Sequence, residues 1–145
     1  MIIYLFNSFS FLDKGYNNPI ISSSIPAING TISIGETQIQ ISYNVSIACS
    51  SQNISIYQKI DDTKDIKRES YSGKSNNCKE LSDNTTLSLT VLSSTFNKPN
   101  SEYYIEIDTN FVKQNKTLEP LPGIPKRKWK FSTGIFFLIF SKSSY

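Results

Sequence analysis

The sequence predicts an all-β protein, a single sandwich of seven or eight antiparallel strands. Apolar and polar residues alternate along several short stretches, and turn-forming residues separate these stretches about every 8–15 residues. No stretch has the apolar spacing of about 3.6 residues that marks an amphipathic helix, and the one competing helical segment, residues 58–70, also lacks it. These observations together favour strands joined by tight turns.

The most regular strand pair lies between residues 101 and 134. Tyr103, Ile105 and Ile107 share one parity and are expected to face inward, while mostly polar residues separate them. After a long loop, Trp129 and Phe131 alternate with lysine and serine. This pattern predicts the last two strands of the sandwich, with the only tryptophan of the chain in the core.

The remaining strands are shorter. They are predicted within residues 19–25, around Ile32 and Ile34, within residues 37–49, at residues 53–59, around residues 66–71 and at residues 85–92. Apolar residues of one parity form the predicted core, which comprises Ile20, Ile32, Ile39, Ile41, Tyr43, Ile54, Ile56, Leu87, Leu89, Val91, Tyr103, Ile105, Ile107, Trp129 and Phe131.

The alternation also sets the expected domain boundaries. Residues 1–18 lack the basic start, the unbroken apolar run and the small-residue cleavage site of a secretory signal peptide, so they are expected to be a disordered or poorly signal-like lead. Residues 19–134 are the predicted sandwich domain, and residues 135–145 are an apolar tail of unknown role. No segment reaches the roughly 18 consecutive apolar residues of a membrane-spanning helix.

The composition excludes several kinds of chemistry. Without histidine, the chain has neither a serine–histidine–aspartate triad nor a histidine-ligated zinc site. A net charge of +3 is too small to predict a nucleic-acid partner. Asp61, Asp62 and Asp65 do not have the spacing of a calcium-binding loop, and Glu106 and Asp108 have only the separation of any i, i+2 strand pair. We therefore expect a protein that is not an enzyme and uses no metal or cofactor.

The two cysteines, Cys49 and Cys78, form an even pair. A disulfide between them is the expectation, and a loop of this size would stabilise the fold by roughly 3–4 kcal/mol. The alternative is two buried free thiols in a reducing compartment.

Five Asn-x-Ser/Thr sequons are candidate N-glycosylation sites. By strand parity or by position in a turn, each asparagine is expected to face solvent, where a glycan would not disturb the core. The alternative is that polar strand faces simply accumulate asparagine and serine. The five asparagines are Asn29, Asn44, Asn53, Asn84 and Asn115.

Two further features belong to the predicted outer strand faces. Tyr57 and Tyr104 have outward parity and are the candidates for stacking against a sugar ring. Lys126, Arg127, Lys128 and Lys130 form a basic cluster. This cluster is typical either of a polyanion-binding site or of an edge strand whose lysines block further pairing, and we favour the second.

Four motifs, in this order, resemble the bacterial-type Ig-like domains of the surface-layer or "Big" kind, which also occur in fungal cell-surface proteins. The motifs are PIISSSIPAING from Pro19, QIQISY from Gln38, YYIEIDTNFV from Tyr103 and WKFSTG from Trp129. The region from Phe111 to Pro125 departs from the Asp-x-x-Gly-Asn turn of that family.

The resemblance implies an Ig-like sandwich that serves as a non-catalytic structural or adhesion module of a secreted or cell-surface glycoprotein. It also implies an extracellular or cell-surface location, with cell-wall polysaccharide or other surface proteins as partners. The alternative function is a carbohydrate-binding module, present alone or appended to an enzyme. The departing loop, with Asn115, Pro120, Pro122 and Gly123, is where we would expect recognition specific to this chain.

Overall fold

The computed structural model describes residues 12–134, which form two layers of β-sheet. Most of the predicted lead and the predicted tail at residues 135–145 lie outside the described residues. In chain order the strands are β1 (Ile21–Ile25), β2 (Thr31–Ile32), β3 (Gln38–Tyr43), β4 (Ile47–Cys49), β5 (Asn53–Lys59), β6 (Asp65–Ser72), β7 (Cys78–Glu80), β8 (Thr86–Thr90), β9 (Glu102–Ile107), β10 (Val112–Gln114) and β11 (Ile124–Thr133).

The strands are arranged in a four-stranded sheet of order β1-β3-β8-β7 and a five-stranded sheet of order β2-β11-β9-β5-β6. A two-stranded ribbon, β10-β4, adjoins them. Pairing is antiparallel except between β11 and the two-residue β2. The all-β sandwich fold is therefore confirmed, with more strands than predicted because the stretch 37–49 divides into β3 and β4, and because β7 and β10 are too short to show alternation.

The alternation predicted the core well. In β3, Ile39, Ile41 and Tyr43 are buried, whereas the residues between them are not. Every residue of the predicted core is buried except Ile20, which packs partly buried against its edge. The core also contains apolar residues from turns and short strands that alternation does not reveal, chiefly Tyr16, Phe96, Phe111, Val112, Leu121 and Ile124.

The folded body begins before Pro19, where the sequence placed its start. The Tyr16 ring packs edge-on against Trp129, with a centroid distance of 6.4 Å, and its hydroxyl lies 2.6 Å from the Ser24 hydroxyl. Asn18 is fully buried, and its side-chain amide donates to the carbonyl of Pro122 at 2.8 Å. The segment just before β1 therefore joins the edges of the two sheets instead of belonging to the lead.

The long loop before β11 is folded onto the body. Phe111, Val112 and Leu121 are buried, and β10, which lies within this loop, pairs with β4 of the body. The Leu121 amide donates to the Val112 carbonyl at 3.1 Å, which closes the loop on itself. The loop therefore contributes to the core as well as to the surface.

Candidate functional site

The outer face of the five-stranded sheet is shaped by an irregular stretch in β11. Ile124 is opposite Ile107, but the next paired residue, Trp129, is opposite Ile105, so β11 has extra residues here. Pro125 cannot donate a ladder hydrogen bond, and Arg127 has a φ of 68°, in the left-handed region. The bulge lifts Lys126 and Arg127 over the neighbouring strands. Pro125 is the sequence signal that could have predicted it.

Tyr57 and Tyr104 are the centre of this face. They are directly opposite one another in the register of β5 and β9, and their rings stack with a centroid distance of 5.1 Å and an interplanar angle of 14°. Such a pair contributes about 0.5–1.5 kcal/mol beyond area burial. The sequence placed both residues on the outer face, and the register agrees.

Hydrogen bonds and one ion pair hold the two rings in place. The Tyr104 hydroxyl donates to the Asp65 carboxylate at 2.6 Å, and Arg127 donates to its other oxygen at 2.7 Å. The Tyr57 hydroxyl donates to Glu106 at 3.3 Å. The bond from Tyr104, helped by Arg127, lowers the pKa of Asp65, while burial first and then Asp65 raise the pKa of Tyr104. Both tyrosine hydroxyls therefore remain donors at neutral pH.

The lowered pKa of Asp65 predicts a defined pH dependence of stability. A carboxyl group whose pKa is lower in the folded than in the unfolded state stabilises the fold above its unfolded pKa, and this contribution is lost as the pH falls through the folded pKa. Asp65→Asn should therefore lower the free energy of unfolding at pH 7. The difference from the unmodified protein should shrink progressively below about pH 4.

Urea unfolding from pH 2.5 to 7 measures this difference, with the pH range chosen as roughly that of carboxylate titration. Asp62→Asn is the matched control, because the Asp62 side chain is 96% exposed and its distance to Lys59 is 3.5 Å. Equal and pH-independent effects of the two substitutions would contradict the role assigned to Asp65.

The sugar-stacking prediction does not agree with the exposure of the rings. Tyr104 is only 1% exposed, so it offers no surface to a sugar. Tyr57 is partly exposed, but Tyr104 stacks on it and the Lys126 ammonium lies 4.7 Å from its ring centre. The pair was placed on the correct face. The neighbouring side chains that cover it come from β11, which sequence parity within β5 and β9 cannot show.

Four lysines surround the tyrosine pair on the same sheet: Lys67, Lys126, Lys128 and Lys130. All four are exposed, and within residues 12–134 none of them forms an ion pair. Lys130 is opposite Tyr104 and Lys67 is opposite Tyr57 in the register. The edge-strand explanation of the basic cluster is incomplete, because β11 lies second in its sheet beside the short β2.

Two shallow hollows lie near this face, and both open broadly to solvent. One, of about 610 Å³, is lined by Lys59, Asp61, Asp62 and Glu102 among others, and Lys59 already pairs with Glu102 at 3.2 Å. The other, of about 380 Å³, includes Glu106 and Asp108. In the described part of the chain, no group of three or more acidic or cysteine side chains is arranged to hold a metal ion.

The expected disulfide is not formed. Both Cys49 and Cys78 are free. Burial, followed by the neighbouring Glu80 carboxylate, raises the pKa of Cys49 to about 12, and burial also raises the pKa of Cys78. A thiol reacts as its thiolate, so a raised pKa makes both thiols less reactive.

All five sequon asparagines are exposed. Asn29 lies in the turn between β1 and β2, and Asn53 begins β5. The other three, Asn44, Asn84 and Asn115, lie together at one end of the sandwich. Ser46 and Ile47 follow Asn44 closely in the chain. The Ile47 amide donates to the Asn84 carbonyl at 2.9 Å, and the Asn115 amide donates to the Ser46 carbonyl at 2.9 Å. The sequence predicted the exposure of each asparagine, but it could not predict this grouping.

Comparison with known proteins identifies the class of fold. Neither a protein-family model nor a curated protein sequence matches the chain. Among solved structures, CopC from Methylosinus trichosporium OB3b superposes with a TM-score of 0.52 at 11% sequence identity. The match covers 80% of this chain and 93% of CopC. The chain thus has a CopC-like β-sandwich fold, and this low identity supports the fold alone.

Among residues 12–134, no helix has the length and apolarity that crossing a bilayer requires.

Proposed function

We propose that this chain is a non-catalytic Ig-like module of a secreted or cell-surface glycoprotein, with a structural or adhesive role. The observation that carries the proposal is the exposure of all five sequon asparagines on a well-packed sandwich. Each of them lies in a turn or at the start or end of a strand, so a glycan would project into solvent without displacing core residues. The order of the four family-like motifs supports the same proposal.

The mechanism of such a module is mechanical. Its core is continuous across both sheets, and edge-on aromatic contacts hold Phe96, in the loop after β8, against Tyr103 and Phe131 of the five-stranded sheet. A body of this kind sets a fixed distance between neighbouring parts of a surface protein. Glycans on Asn44, Asn84 and Asn115 would shield one of its ends. The alternative, sugar recognition by tyrosine stacking, is less well supported because Tyr104 is buried.

Mapping of glycan occupancy tests the proposal. The chain, secreted from a eukaryotic host, is treated with peptide-N-glycosidase F in ¹⁸O-labelled water and analysed by peptide mass spectrometry. We expect ¹⁸O-labelled aspartate at two or more of the five sequons. Asn97 and Asn100 are matched controls, because they are exposed but lie outside sequons. Unlabelled asparagine at all five sequons would contradict the proposal and favour the reducing compartment that is the alternative for the two free cysteines.

A further inference from the structure

The lysines around the tyrosine pair form a continuous cationic surface, here called the lysine face: Lys67, Lys126, Lys128 and Lys130. Lys130, Tyr104, Tyr57 and Lys67 are successive cross-strand neighbours on β11, β9, β5 and β6. At about 4.8 Å between strands, this row spans roughly 14 Å. Lys128 and Lys130 extend it along β11 with a separation of about 7 Å.

Three carboxylates of this face have partners other than the four lysines. Asp65 pairs with Arg127, Glu102 pairs with Lys59, and Glu106 accepts the Tyr57 hydroxyl. None of the four lysines takes part in an ion pair within residues 12–134. Glu106 and Asp108 form no ion pair within residues 12–134, so the four lysines exceed the carboxylates without an ion-pair partner near Tyr57, and this excess of positive charge is available to an external anion.

The Tyr57 ring also restrains two of the four lysine side chains. The ammonium nitrogen of Lys126 lies 4.7 Å from the ring centre and that of Lys67 lies 5.8 Å from it. Contacts of this kind attract a cation to the ring and restrict a flexible lysine side chain. Two of the four charges are consequently held near one another before any ligand arrives, which reduces the entropy lost on binding.

We propose that the lysine face binds a linear polysaccharide that carries carboxylate or sulfate groups. Such a polysaccharide would be a partner of the surface module proposed above. The inference rests on that proposed function, because it is what would bring the chain and the polysaccharide together. A polysaccharide is favoured over a single-stranded nucleic acid, because base recognition on a sheet uses aromatic rings with a free face. Here Tyr104 is buried, and Tyr57 is stacked on it. Charge contacts alone are sufficient for an acidic polysaccharide.

The test is a titration of the full chain with four probes: heparin, polygalacturonate, neutral dextran and poly(dT). We expect binding to heparin and polygalacturonate that weakens as salt rises from about 0.05 to about 0.3 M, since added salt screens exposed charges. We expect no binding to dextran, and weaker binding to poly(dT) than to either acidic polysaccharide. Binding to dextran, or poly(dT) binding as tight as that of heparin and polygalacturonate, would overturn the proposal.

A charge-matched pair of variants locates the binding surface. In the first variant, all four lysines of the lysine face are replaced: K67Q, K126Q, K128Q and K130Q. The control variant carries K74Q, K79Q, K98Q and K116Q, which remove the same charge from exposed positions elsewhere. We expect the first variant to lose roughly tenfold or more in affinity and the control less than about twofold, because only the first removes the contacting charges. Circular dichroism verifies that both fold.

Equal losses in the two variants would overturn the proposal, because net charge alone would then explain the binding. Failure of this inference can also be distinguished from failure of the proposed function. Occupied sequons without polysaccharide binding would remove this inference only. Polysaccharide binding by a chain whose sequons stay unoccupied would remove the surface-glycoprotein proposal and keep the binding face.

Discussion

Gly123→Ala is expected to destabilise the protein by roughly 3 kcal/mol or more, enough to unfold a domain of marginal stability. A methyl group at this position would overlap the Ile107 carbonyl oxygen and lie 2.6 Å from the Asp108 carbonyl carbon. Both atoms belong to the backbone, so no side-chain rotation relieves the overlap. The chain must then move where Ile124 pairs with Ile107, and the junction of β9 and β11 opens.

Two glycines provide controls for this substitution. Gly134→Ala should change the free energy of unfolding by less than about 0.5 kcal/mol, because its added methyl group meets no described atom within 4 Å. Gly35→Ala also has open space but a φ of +83°, so it should cost about 1 kcal/mol through backbone strain alone. Urea unfolding followed by circular dichroism measures all three. A Gly123→Ala effect no larger than that of Gly35→Ala would contradict the steric argument.

Trp129→Ala should cost about 3–5 kcal/mol, the range measured for removing a large buried aromatic side chain. Trp129 is fully buried, contacts Tyr16 edge-on, and donates its indole N–H to the Pro26 carbonyl at 2.8 Å. Its loss would leave a cavity between the segment before β1, the turn after β1 and the middle of β11. Thermal and urea unfolding, followed by far-ultraviolet circular dichroism, give the change in stability.

Trp129→Phe keeps an aromatic ring in the core but removes the indole N–H, so it separates the contribution of packing from that of the hydrogen bond. It should cost less, about 1–2 kcal/mol, because the Pro26 carbonyl also accepts the Ser24 hydroxyl at 2.8 Å and so keeps one partner. Leu92→Ala is the surface control, since Leu92 is 60% exposed, and it should stay within about 0.5 kcal/mol of the unmodified protein. A cost below about 1 kcal/mol for Trp129→Ala would show that the indole is not a packed core group.

Sequence parity correctly predicted which face of the sheet each candidate residue occupies, but it did not predict which side chains lie beside that residue. Parity placed Tyr57 and Tyr104 on the outer face and Trp129 on the inner face, and the register agrees. Parity describes one strand at a time, however. It could not show that the bulge at Pro125 brings Arg127 across the sheet to Asp65, two strands beyond the neighbour of β11. The buried state of Tyr104 follows from that crossing.

The cysteine prediction failed for a related reason. An even number of cysteines says nothing about the environment of each thiol. The raised pKa of Cys49 depends first on burial and then on Glu80, whose carboxylate accepts the Cys49 backbone N–H at 2.9 Å. Glu80 lies 31 residues away and comes close only through the contact between β4 and β7.

Local periodicity determined the fold class, most of the core and the exposure of each sequon, because strand parity and turn composition are properties of neighbouring residues. Tertiary structure alone decided three other features: the attachment of Tyr16 and Asn18 to the body, the grouping of three sequons at one end, and the lysine face with its tyrosine centre. Each of these depends on residues far apart in sequence that meet only when the two sheets and their connecting loops are assembled. That assembly requires long-range contacts, which local sequence patterns do not predict.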